Sequence, residues 1–215
     1  MHARPFAAAL ALVAVLAAAG CARIEGAVDA ALAPAEPTET ATAFASDFTT
    51  DGSVLLTSDV ADALEVRLEA WAVDSKRTSE WTPAAANTFG LAVNVADYRA
   101  EERAVLADKR RVYLADIAIA STLAPSGAAG PLAFQADPRT LVPADTTRSD
   151  RGLLLNSYQG GLLLPETALG AVPADTTGVT LEVTLTLAIE GAADGGDFQT
   201  VTLDQEIPIA IFPAG

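Results

Sequence analysis

The chain has 215 residues, 51% of them hydrophobic, with 13 Lys+Arg against 28 Asp+Glu and a formal charge of −15. That apolar fraction excludes a wholly disordered protein, and the negative charge argues against a nucleic-acid binder, whose phosphates would be repelled. His2 is the only histidine, Cys21 the only cysteine and Met1 the only methionine. These counts leave little for Ser-His-Asp triads or for zinc or copper sites built on His, Cys or Met, and if residues 1–20 are removed as a signal no His or Met remains to build them.

Residues 1–20 have the layout of a signal peptide. Arg4 and the amino terminus supply positive charge, and Phe6 to Ala19 is an uncharged run of 14 residues. Such a run is short for a bilayer span. It closes on Leu16-Ala17-Ala18-Ala19-Gly20-Cys21, which resembles the lipobox of bacterial lipoproteins. Ala18 stands three before the Cys, where Leu is commoner in that family. The resemblance covers the first tenth of the chain. It implies cleavage before Cys21, acylation of its thiol, and a lipid-anchored location in the bacterial cell envelope, facing the extracytoplasmic side. Two acyl chains make such an anchor stable. The mature chain would then hold no free thiol, no intrachain disulfide and no basic patch against lipid. The lipid at Cys21 would be its contact with the membrane.

Residues 21–50 are rich in Ala, Pro, Glu and Thr, and Arg23 is the only base near seven acids between Glu25 and Asp59. No alternation is present, so this segment reads as a flexible tether. From residue 51 onward the chain alternates. Leu64, Val66, Leu68 and Ala70 interleave with Glu65, Arg67 and Glu69, the period of a strand with one wet face. Phe89, Leu91, Val93 and Val95 repeat it. Tyr113, Ala115, Ile117 and Ile119 are expected to share a face. The clearest strand runs over Val179 to Ile189. In the last segment Val201, Leu203, Ile207, Ile209 and Ile211 share a face. Pro208 falls on the other, which suggests an edge or a bulge. Weaker strands are Val54–Thr57, Leu132–Gln135, Leu153–Asn156 and Leu162–Leu164. Tyr98 to Lys109 has helix-favouring composition, and Pro165 to Leu169 suits one helical turn.

Residues 51–215 are thus expected to form an all-β antiparallel β-sandwich of seven to nine strands, immunoglobulin-like in layout, with a small barrel or jelly roll as the other arrangement. Gly191 to Asp197 is a tight connection that makes the last two strands a hairpin. Val142-Pro143-Ala144-Asp145-Thr146-Thr147 recurs as Val172-Pro173-Ala174-Asp175-Thr176-Thr177. Two copies make no solenoid, and Pro-Ala-Asp-Thr-Thr reads as two similar turns leading into strands.

No catalytic residue, cofactor or metal site stands out. Asp194 and Asp197, or Asp145 and Asp150, flank loops without the ligand spacing of an EF-hand. Residues 76–151 hold ten of the bases, and after Arg151 eight acids follow with no base, a polarity suited to salt bridges or to orienting a partner. The candidate recognition surface lies between two triple-leucine runs. Adjacent leucines on a one-sided strand cannot both face the core. Between them Asn156, Tyr158 and Gln159 offer hydrogen bonds beside apolar surface, with Arg148 and Arg151 just upstream. Trp71 and Trp81 are further candidates. These features suggest a non-enzymatic envelope lipoprotein that binds a protein partner or organises a complex. The alternatives are a small-ligand binder serving a transporter, and a carboxylate-dependent hydrolase.

Overall fold

The structure, a computed structural model, describes residues 43–48, 52–73, 81–101, 103–157, 160–193 and 195–213. The signal segment, Cys21, the tether up to residue 42, Tyr158, Gln159 and Asp194 lie outside the described residues.

The described chain is an all-β antiparallel sandwich. Ten strands are present: β1 (Ser53–Ala61), β2 (Leu64–Ala72), β3 (Thr88–Asp97), β4 (Val112–Ala124), β5 (Ala128–Ala136), β6 (Arg148–Ser149), β7 (Gly152–Leu154), β8 (Leu162–Ala168), β9 (Gly178–Glu190) and β10 (Phe198–Ala210). One sheet has the order β1-β2-β3-β8. The other has the order β10-β9-β4-β7-β6, with β5 also paired to β4. The strand beyond the expected nine is β6, only two residues long and too short to show a period. It forms a tight hairpin with β7, in which Ser149 faces Gly152 across Asp150 and Arg151. Gly152 has φ +133°, and a Cβ there would lie 2.1 Å from the Leu114 carbonyl oxygen, so the hairpin needs glycine at this position.

Alternation in sequence becomes alternation in burial. Val179, Leu181, Val183, Leu185, Leu187 and Ile189 on β9 are all buried, facing Leu64, Val66, Leu68, Phe89, Leu91 and Val93 of the other sheet in one continuous core. Each such side chain contributes about 1.5–3 kcal/mol of burial. The last two strands form the expected hairpin with unbroken register, and Pro208 lies on β10 at the sheet edge rather than at a bulge. There its missing N–H costs no ladder bond, and its carbonyl accepts from Asp47 N–H at 2.8 Å. Packed chain therefore begins before residue 51: Phe48 is buried and meets Trp81 edge-on at 5.6 Å.

Three expectations are corrected. Tyr113 and Ala115 do not share a face with Ile117 and Ile119. Val112 and Leu114 point inward, the β4–β9 register shifts between Leu114 and Asp116, and Ile117 and Ile119 then take over the inward face. One extra residue at this bulge flips the phase of the strand. It falls where the neighbour of β4 changes from β7 to β5. Among the described residues, Tyr98 to Lys109 forms no α-helix and holds a single 3-10 turn at Leu106–Asp108. Pro165 to Ala168 belongs to β8. Pairing to β3 overrides local propensity in β8, whereas residues 98–109 are the connection that carries the chain from one sheet to the other.

The repeated hexapeptides do form matching turns. Thr146 N–H donates to Pro143 C=O at 3.1 Å, and Thr176 N–H donates to Pro173 C=O at 3.0 Å. The first leads into β6 and the second into β9.

Candidate functional site

Three connections pass from one sheet to the other: β3 to β4, β7 to β8 and β8 to β9. The first two border a groove of about 870 Å3, lined by Arg67, Asn94, Tyr98, Arg103, Lys109 and Asn156 among others. Its backbone wall is the end of β3. Pairing between β3 and β8 stops at Val93 opposite Leu162, whereas pairing between β3 and β2 continues to Asp97. Residues 94–97 thus have a neighbouring strand on one side only.

Buried charge holds this end of the sandwich together. Arg110 and Arg111 are adjacent in sequence, and each binds a carboxylate from a different sheet. Arg110 donates to Asp97 of β3 at 2.9 and 3.1 Å, and also to the Asp62 carbonyl at 2.7 Å. Both side chains of that pair are almost wholly buried. Burial pushes the Asp97 carboxyl up, but the Arg110 side chain and the N–H groups of Arg110 and Arg99 outweigh it, so its pKa ends below the ordinary value. Arg111 binds Glu190 of β9. The Arg111 guanidinium lowers the Glu190 pKa against the opposing effect of burial, and the N–H groups of Arg111 and Gly196 add to the lowering. Only this ion pair, among those between described residues, joins the basic middle to the acidic last third. The others, such as Arg139 with Asp137, lie within residues 65–139.

At the rim, Arg67 donates to Glu65 at 2.7 Å and to the Tyr98 hydroxyl at 2.6 Å, and Tyr98 donates to Glu65 at 2.9 Å. This closed triangle orients Tyr98, whose ring is largely exposed. Arg67 and Tyr98 bring the Glu65 pKa down, and Glu65 brings that of Arg67 up.

The residues expected to form a recognition surface are dispersed. Asn156 lines the groove, but its side chain is already engaged: Oδ1 accepts from Val112 N–H at 3.2 Å and Nδ2 donates to the Arg110 carbonyl. It extends the β7–β4 pairing through its amide. Trp81 is a correction: it is fully buried in the core, with no hydrogen-bond partner for Nε1 among the described residues. Its polar sequence surroundings misled because Phe48 arrives from outside the local window. Trp71 lies on the outer face of the four-stranded sheet, flat against Gly90, where a Cβ would come within 2.3 Å of the indole. Arg148 donates to the carbonyls of Arg139 and Ala144, tying a loop. Arg151 stacks on Phe198 at 4.3 Å and borders a separate, shallower hollow of about 580 Å3 on the six-stranded sheet. Trp71, Trp81, Arg148 and Arg151 are therefore not gathered with Asn156.

Arg67, Asn94, Tyr98, Arg103 and Lys109 were not singled out in the sequence. Arg67 and Asn94 are register partners across β2 and β3, a relation that only strand pairing creates. Among the described residues no three His, Cys, Asp or Glu side chains gather as metal ligands, and no helix is long and apolar enough to cross a membrane. No protein-family model matches the chain, and neither a curated protein nor a solved structure matches it.

Proposed function

We propose that the chain is a lipid-anchored envelope protein whose sandwich works by non-covalent recognition of a protein partner, without catalysis. The groove between the two crossovers carries this reading. It combines three cations, amide groups, an oriented tyrosine and an open strand edge in one concavity. Charged and aromatic groups around a partly apolar floor are the composition of recognition surfaces. A carboxylate hydrolase needs one carboxyl held protonated near neutral pH. Among the described residues, the carboxyls whose proton affinity clearly moves are Glu65, Asp97, Asp137 and Glu190, and all move the other way. The envelope location rests on the lipobox-like segment ending at Cys21.

Two measurements test the proposal in a bacterial cell. Fractionation should find the protein with membranes and Cys21→Ser in the soluble fraction. Membrane retention of the variant would remove the lipid anchor. A photo-crosslinking residue at position 103 should trap a protein, with the adduct lost in a Lys109→Glu background. A small-molecule adduct in its place would favour the transporter-associated ligand binder.

A further inference from the structure

Strand β10 is an outer strand of the six-stranded sheet, and among the described strands it pairs with β9 alone. Successive residues of an antiparallel strand direct their N–H and C=O groups to opposite sides. The Asp197 carbonyl, just before β10, accepts from Gly191 N–H on the β9 side, so odd-numbered residues face β9 and even-numbered ones face the open side. The chain itself covers one end of that open side. Asp47 N–H donates to the Pro208 carbonyl, Ala210 N–H donates to the Ser46 hydroxyl at 3.2 Å, and Phe48 turns into the core. Toward the start of the strand this cover ends. Thr200, Thr202, Asp204 and Glu206 turn their backbone groups to the same side, where none of them meets a partner among the described residues. All four residues are exposed.

We infer that this uncovered half of the β10 edge takes up an extended segment of a partner protein in which cationic and apolar residues alternate, added as a further strand beside Thr200–Glu206. The site is separate from the groove and does not depend on it. Three observations support the inference. The edge offers backbone groups spaced for a β-ladder over roughly 20 Å, and the register with β9 is unbroken along it. The chain already makes the same kind of contact further along the strand, through Ser46 and Asp47. The two faces beside the edge also ask for different side chains. Val201 and Leu203 point inward yet are only partly buried against the core, so apolar side chains of an added strand would complete their cover. Asp204 and Glu206 stand on the outer face, with Glu182 in register with Glu206. Strands β4, β5, β9 and β10 hold no Lys or Arg, and Arg111 and Arg151 lie over Phe198 at the start of β10. Outward side chains at the Asp204–Glu206 end would thus meet carboxylates, which favour cations across the pair. The same charges argue against two nearer occupants. Residues 21–42 hold four acids and one base, and a second copy would bring another β10 of the same sign.

Backbone pairing supplies affinity and the carboxylates supply sign selectivity, so the two can be separated. The probe is a fluorescein-labelled Lys-Val-Lys-Val-Lys-Val peptide, titrated against the full chain by anisotropy at about 0.15 M salt, where loose surface attraction is screened. Amide hydrogen exchange locates it. Saturable binding is expected, with exchange slowed at Thr200, Thr202, Asp204 and Glu206. A Glu-Val peptide of equal length should not bind. Methylating the amides of one alternate set of peptide residues should abolish binding, because only one set faces β10. Thr202→Pro removes one open-side N–H and no ladder bond to β9, as Pro208 does on the same strand, and should weaken binding roughly tenfold. Glu206→Lys should weaken it roughly fivefold or more. Should the proline variant fail to fold, the methylated peptides answer the same question from the ligand side. The inference is overturned if the Lys-Val peptide does not bind, if neither methylated peptide loses binding, or if the slowed amides lie on another strand. Dimerisation of the chain that Thr202→Pro abolishes, without peptide binding, would give the edge to a second copy and overturn the partner named here.

Discussion

The two sheets treat their outer faces differently, and the two triple-leucine runs show how. Leu153, Leu154 and Leu155 in and just after β7 are all buried. Leu162 and Leu164 on β8 are buried, while Leu163 between them is 57% exposed. Strand β7 lies inside the six-stranded sheet, and β8 is an edge of the four-stranded one. The outer face of the larger sheet carries its own small cluster. Leu154 pairs in register with Tyr113, Tyr113 meets Phe198 at 5.8 Å, and Arg111 and Arg151 lie over the Phe198 ring. The smaller sheet has no such cover among the described residues. Leu55, Glu69, Ala92 and Leu163 form one row across its four strands, and Leu55 is also exposed. Identical local sequence thus meets opposite fates, because burial of the second face depends on what another part of the chain lays over it.

The largest expected effect tests the covered face. Arg111→Met leaves Glu190 buried without its guanidinium and should cost about 3–5 kcal/mol in denaturant unfolding. A loss below about 1 kcal/mol would mean that the pair contributes little to closing that side. Next, Leu154→Ala should cost about 2–4 kcal/mol as a buried truncation. An effect no larger than that of the same change at Leu163 would erase the distinction between the two runs.

Acid should weaken the ion-paired end. Asp97 and Glu190 have folded pKa values below their ordinary values of 3.8 and 4.5. Each therefore binds a proton more readily when unfolded. Their stabilisation is complete above those ordinary values and is lost as pH falls below them, through the folded pKa values. Melting temperature should be flat from pH 7 to about 5 and fall below about pH 4.5. Glu190→Gln should start lower at neutral pH and fall less steeply. Parallel curves for wild type and variant would remove Glu190 from the acid response. The smallest effect belongs to the open face: Leu163→Ala should change stability by no more than about 0.5 kcal/mol. A larger loss would reveal cover over that face.

Much of the architecture was legible because a strand writes its wet and dry faces into a period of two. The alternation from Val179 to Ile189 predicts the inward face of β9 residue by residue, and Pro208 marks the edge strand because proline cannot donate to a ladder. The site was less legible. Asn156 was found, but as a side chain occupied by the β4 backbone. Trp81 was misplaced, since only the return of Phe48 and the end of the chain near Phe212 encloses it. Arg67, Tyr98 and Arg103 reach the groove from separate places in the sequence, with no shared motif to connect them.

The sequence by itself determined the all-β class, the inward faces of the regular strands, the final hairpin and the two Pro-Ala-Asp-Thr-Thr turns. These follow from contacts between near neighbours and from a backbone geometry that repeats every two residues. Tertiary structure alone decided the phase change at the β4 bulge, which leucine of each triplet is covered, and the opening beside Asn94–Asp97. Those depend on register and on crossovers between sheets, which join residues far apart along the chain and leave no periodic mark within it.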